Sequence, residues 1–124
     1  MNRTELDEQR TVVAYLRRVL PKYARRVFSV PNERRFRGGR GSRAGQWRKL
    51  AEAGASAGVP DLVIPGTTPS GYGGIVIEMK RTKNSTTRPE QWKWLLHFAS
   101  LGWIAVRCRG ADEALTLLRL HGYR

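Results

Sequence analysis

The run Ile75-Val76-Ile77 leads straight into Glu78-Met79-Lys80. Three consecutive β-branched apolar residues read as a strand. Because successive side chains leave a strand on opposite sides, a run without alternation has to be covered on both faces. Covering both faces of a sheet takes a helical layer on each side, so this segment points to an α/β architecture. Glu78 and Lys80 fall on one face of the strand and Met79 on the other. Charged residues that end a buried strand lie where sites in α/β sheets open.

The flanking sequence supplies the other elements. Thr4–Leu20 predicts a helix, with Thr4 and Asp7 as a cap, acids in the first turn, Arg17 and Arg18 in the last, and Pro21 as the stop. Leu6, Val13, Leu16 and Leu20 recur at helical spacing and mark its expected buried face. Arg26–Val30 suits a short strand, and a second helix is expected after Ser42, running to Gly54. Asp61–Pro65 is a short apolar strand, and Gly66–Gly74 a turn region. Thr87-Arg88-Pro89-Glu90 is a capping pattern that opens a helix closed by Gly102. Trp103–Cys108 is a strand and Asp112–Leu120 a final helix. The order α-β-α-β-β-α-β-α predicts one domain over residues 1–124: a small mixed β-sheet flanked by α-helices.

Charge narrows the function. Against 10 Asp+Glu stand 23 Lys+Arg, a formal net charge of +13, and a domain this small and this basic attracts polyanions, of which nucleic acid is the commonest. Arg34, Arg35, Arg37, Arg40 and Arg43 alternate with glycines, so residues 34–46 are expected to form a mobile basic loop. Arg48, Lys49, Arg81 and Lys83 add to the expected phosphate contacts. No window approaches a membrane span and the start does not read as a secretory signal. The expectation is a soluble, cytoplasmic protein without membrane partners. The single cysteine, Cys108, reads as a small buried hydrophobe and rules out an internal disulfide; no zinc-ligand spacing is present. Trp92, Trp94 and Trp103 are expected as core or interface aromatics, while Trp47, beside Arg48 and Lys49, is the one to test for stacking on bases. His97 and His121 stand isolated.

Chemistry concentrates in Gly58-Val59-Pro60-Asp61-Leu62, followed 17 positions after Asp61 by Glu78-Met79-Lys80. A hairpin joining the two strands brings Asp61 near Glu78. Two carboxylates side by side repel unless a cation separates them, and Mg²⁺ or Mn²⁺ with oxygen ligands does so well. An adjacent lysine can then orient a water for attack on a phosphodiester. Either half alone also has a plainer reading. Pro-Asp before a strand is often a turn with a side-chain cap, and Glu-x-Lys a surface ion pair.

The joint pattern resembles the catalytic signature of the PD-(D/E)XK nuclease superfamily, and the wider sequence is similar to its VRR-NUC (virus-type replication-repair nuclease) family. The matching stretches are Glu5…Gln9 with Val12-Val13-Ala14-Tyr15-Leu16, Val30-Pro31-Asn32-Glu33, Ala57-Gly58-Val59-Pro60-Asp61-Leu62-Val63-Ile64, Ile77-Glu78-Met79-Lys80 and Gln91. The resemblance implies a restriction-endonuclease-like fold and a Mg²⁺- or Mn²⁺-dependent DNA endonuclease of bacterial or bacteriophage origin. It implies that Asp61 and Glu78 are metal ligands aided by the main-chain carbonyl of Met79, and that Lys80 positions the attacking water. Glu5 would serve the metal site from the first helix, with Glu8 as the competing candidate, and Gln91 would pack over the site near the scissile phosphate. Stand-alone members of the family act as homodimers, which makes branched DNA, above all the four-way (Holliday) junction, the expected substrate. Flap or fork nicking and a restriction-like role are the alternatives within the nucleases. A non-catalytic basic nucleic-acid-binding protein is the rival from another class.

Overall fold

In a computed structural model the expected order of elements is present. The structure describes residues 4–31, 41–82 and 85–124, the side chains of residues 41–44 excepted. Helix α1 (Glu5–Val19) is closed at its start by a reciprocal cap: the Asp7 amide donates to Thr4 Oγ1 and the Thr4 amide to Asp7 Oδ2. It ends in a tight 3-10 turn, Leu20–Tyr23, into which Pro21 fits without breaking a helical bond. Of the expected face Leu16 and Leu20 are buried, but the stripe is completed by Glu8, Val12, Tyr15 and Val19 in place of Leu6 and Val13. Leu6 is 43% exposed. The helix is rotated so that a carboxylate, Glu8, faces inward with the apolar residues, a placement that hydrophobic spacing alone does not foresee.

Four strands form one sheet in the order β1 (Phe28–Ser29), β2 (Leu62–Pro65), β3 (Gly74–Lys80), β4 (Ile104–Arg109). The pairs β1–β2 and β2–β3 are antiparallel, and β3–β4 is parallel. All seven residues of β3 are buried, as its unbroken apolar run demands. Its odd-numbered side chains, Ile75, Ile77 and Met79, join Val12 and Leu16 of α1 and Ala114 and Leu118 of α4 (Gly110–Leu120) in the larger core. On the opposite face Val76 packs with Val63 and with Leu95 of α3 (Pro89–Ser100). One layer of helix lies on each side of the sheet, the arrangement that the run at 75–77 requires.

Each strand is shifted, shortened or lengthened by one to three residues from its expected range, and three helix starts differ as well. Helix α2 (Gly41–Glu52) takes in residues 41–46 of the segment expected as a loop, while residues 34–40 lie outside the described residues. None of the described side chains of α2 is buried. Helix α3 is capped at Arg88 rather than Thr87, with Pro89 at its first position and Gln91, not Glu90, three residues on. Helix α4 starts directly after β4, at Gly110, whose positive φ of 80° makes the abrupt strand-to-helix turn.

Candidate active site

The strand end that carries Glu78 and Lys80 opens beneath the first turn of α3. Both residues share the face of β3 that packs on this helix, and Asp61, directly before β2, approaches from the neighbouring strand. Asp61 Oδ2 accepts a 2.7 Å hydrogen bond from the Met79 amide, which fixes its carboxylate against the peptide that follows Glu78. Glu78 Oε2 lies 3.6 Å from Lys80 Nζ. All three side chains are buried, and Lys80 is 0% exposed. Gln91, also buried, joins them: Lys80 Nζ donates to its Oε1 at 2.9 Å, and its Nε2 donates to Glu78 Oε2 at 2.7 Å. The Arg88 amide adds a second donor to Oε1, at 2.9 Å. Turning the amide over would set NH₂ against two donors and a carbonyl against a carboxylate, so one orientation is possible.

Local sequence explains how these groups come to one place. Gln91 stands three residues after the N-cap, and its carbonyl closes half of a capping box on the Arg88 N–H, leaving its NH₂ aimed into the sheet. The loop before Asp61 must pass under that turn. Gly58, at φ +81°, lies so close that an added Cβ would stand 2.6 Å from Glu90 C, 2.7 Å from Glu90 Cβ and 2.8 Å from Gln91 N. Val30 N–H donates to the Asp61 carbonyl at 2.8 Å and holds the start of β2 in line with β1. A lysine and two carboxylates withdrawn from water cost several kcal/mol of desolvation unless they compensate one another, so the cluster is no device for stability.

The family model for the VRR-NUC domain matches residues 7–112. The chain belongs to the VRR-NUC family. That is a nuclease family, and the mixed four-stranded sheet with its flanking helices is the corresponding PD-(D/E)XK-like α/β fold. A solved structure described as a VRR_NUC domain protein superposes with a TM-score of 0.75 at 24% identity, covering 98% of this chain and 90% of that one. No curated protein matches the sequence.

Within this VRR-NUC domain the donor set suits a hard cation. Asp61, Glu78 and the Met79 carbonyl offer oxygen alone, the donor type that a hard cation takes. Mg²⁺ characteristically takes one or two protein carboxylates and completes its shell with water and substrate oxygens. Among the described residues no three or more His, Cys, Asp or Glu side chains gather into a ready-made cage. Glu5 and Glu8 both belong to α1, which packs on the other face of the sheet from Glu78 and Lys80. Glu8 is buried beside Gly110, where a Cβ would lie 3.1 Å from its Oε1, at the end of β4. Glu5 is half-buried one turn earlier and precedes the residues matched by the family.

The remaining predicted contacts distribute as follows. Arg48 and Lys49 are exposed on α2, and Arg81 is exposed one residue beyond Lys80. The Arg43 side chain, Arg34, Arg35, Arg37, Arg40 and Lys83 lie outside the described residues. Trp94 and Trp103 are half-buried as expected, whereas Trp92 turns away from the core and is 45% exposed. Cys108 is buried, and burial foremost, with Glu113 adding to it, pushes its thiol up to about 12. His97 lies edge-on to Trp94, and His121 Nδ1 is 2.9 Å from Ser70 Oγ. Among the described residues no helix is long and apolar enough to cross a membrane.

Proposed function

We propose that this VRR-NUC protein is a Mg²⁺- or Mn²⁺-dependent, structure-selective DNA endonuclease whose substrate is the four-way junction. The observation that carries the reading is the buried assembly of Asp61, Glu78, Lys80 and Gln91 at one strand end. Asp61, Glu78 and the Met79 carbonyl would hold the ion, with an acid of α1 assisting. When bound, that ion supplies Lewis-acid stabilisation of charge on the phosphate oxygens. Lys80 holds the attacking water by donating to its oxygen, and the carboxylates accept the proton that the water gives up. Gln91 keeps acid and ammonium in register, because its amide bonds both at once. Exposed basic side chains, Arg81 beside Lys80 and Arg48 and Lys49 on α2, hold the backbone of the DNA by its phosphates.

One site cuts one strand. Symmetric resolution of a junction needs two sites related by a two-fold axis, which makes a homodimer the working unit. The test is product analysis on linear, flap, fork and four-way DNA with Mg²⁺, Mn²⁺ or EDTA, alongside sedimentation of the free protein. Paired nicks across the junction, absent in EDTA, are expected from a dimer. DNA binding without metal-dependent cleavage of any of the four substrates would reduce the protein to a basic binding module.

A further inference from the structure

The register of the sheet brings a cation to the site that the charge motifs do not single out. In the parallel pair β3–β4, Glu78 lies opposite Arg107 and Lys80 opposite Arg109. Residues paired across parallel strands project to the same side, and the pair Val76–Ala105 earlier in the ladder packs toward α3. Arg107 therefore shares the face of Glu78, one strand spacing away, about 4.8 Å. Its Nη1 donates to Thr87 Oγ1 at 2.9 Å, and its guanidinium carbon stands 5.5 Å from the centre of the Trp92 ring.

Both partners are neutral. A hydroxyl and an indole face orient the guanidinium without cancelling its charge, and among the described residues no carboxylate pairs with it. Arginine carries five N–H donors in a planar fork that matches a phosphate, so a fork aimed by one hydroxyl retains most of its donors for an anion. β4 is the outer strand of the sheet, and Arg109, one step further along the same face, is exposed. The exposure of Trp92 has the same explanation: the ring serves as a rest for Arg107 on the side from which a substrate would arrive.

We infer that Arg107 is a positioning residue for the strand being cut, its guanidinium taking a backbone phosphate beside Glu78 while Arg109 continues the track along β4. The inference rests on the nuclease reading, and the two fail separately. The experiment uses four-way DNA, with the cut first mapped for the parent protein and then a single neutral methylphosphonate placed in turn at each of the three phosphates flanking it. Single-turnover rates are compared for the parent, Arg107→Ala and Arg107→Lys. Loss of a charge-assisted contact corresponds to about a 10- to 100-fold slower reaction for Arg107→Ala, with partial recovery in Arg107→Lys, which keeps the charge without the fork. At one phosphate the neutral group should slow the parent by a similar factor and Arg107→Ala no further, because both changes remove the same contact.

Factors that multiply at every position, or an Arg107→Ala protein that cleaves at the parental rate, would overturn the inference and leave the nuclease reading standing. A parent without metal-dependent cleavage would end both. If Arg107→Ala does not fold, Thr87→Val and Trp92→Leu release the guanidinium while keeping its charge, and the same loss of phosphate-specific sensitivity is expected of them. Sensitivity unchanged in both would overturn the inference equally.

Discussion

Strand β3 has a polar cluster at each end, and the two are built from opposite materials. At its start, in the hairpin from Gly66 to Gly74, the side-chain bonds are made chiefly by hydroxyls. Thr68 Oγ1 takes the Tyr72 amide at 2.9 Å and meets Ser70 Oγ at 2.9 Å, Ser70 meets His121, and Tyr72 stands edge-on to the His121 ring. Each contact satisfies a backbone turn or ties the hairpin to the end of α4. At its finish the groups are charged, buried and tied chiefly to one another. Neutral hydroxyls are what a turn needs for stability, whereas buried charge adds little to it. The contrast separates the end of β3 that keeps the fold together from the end to which we assign the chemistry.

The sharpest break of this contrast is replacement of a carboxylate. Asp61→Ala and Glu78→Ala should each lower metal-dependent cleavage by about 10³-fold or more, the several kcal/mol that an ion supplies to the transition state. DNA affinity should be retained or rise in both, since a repelled negative charge is gone. Filter binding beside single-turnover cleavage would show it; cleavage at the parental rate would dismiss these two residues as catalytic.

A double replacement measures the second difference. Lys80→Met alone should destabilise by about 3–5 kcal/mol, because it strands a buried carboxylate. Combined with Glu78→Gln it should return the unfolding midpoint in denaturant to the parental value or above, with cleavage absent throughout. At the other end, Thr68→Val should cost about 1–2 kcal/mol through the lost bond to the Tyr72 amide and leave cleavage untouched. A nuclease defect in Thr68→Val would erase the division of labour between the two ends.

The smallest effect is expected in alkali. The Cys108 thiol, raised from 9.0 to about 12, holds its proton more tightly in the fold than in the unfolded chain. Its contribution is complete below pH 9 and is lost as pH climbs toward 12, at no more than about 1.4 kcal/mol per pH unit. Denaturant titrations at pH 8 and pH 10 should show parent and Cys108→Ala drawing together at the higher pH. A constant difference between them would contradict this.

Much of this was legible in the chain because the relevant signals are local. The run Ile75-Val76-Ile77 announced a strand covered on both faces, and strand alternation placed Glu78 with Lys80. Gln91 was found through family resemblance, while its capping role depended on an N-cap at Arg88, one residue later than the Thr-x-x-Glu pattern suggested. What escaped depends on distant partners. Arg107 sits in Ala-Val-Arg-Cys-Arg, inside the expected strand, and no local pattern declares which residue of a strand nearly thirty positions earlier will stand beside it. Leu6 and Trp92 misled for a related reason. Spacing gives the period of a helix but not its rotation, and in both helices a polar residue, Glu8 in α1 and Gln91 in α3, occupies the inward face.

Clearance, rather than contact, sets one dimension of the site. A single methyl group at residue 58 would act as a wedge between the loop and the opening turn of α3, and no side-chain rotation could relieve it, since two of the three nearest atoms are main chain. The helix would be levered outward, taking the Gln91 amide from both of its partners while Glu78 and Lys80 stayed in their strand. Such a protein would retain every charged group and still have its carboxylate and its ammonium uncoupled, so inventories of ligands are a poor guide to which members of this family are alive as enzymes.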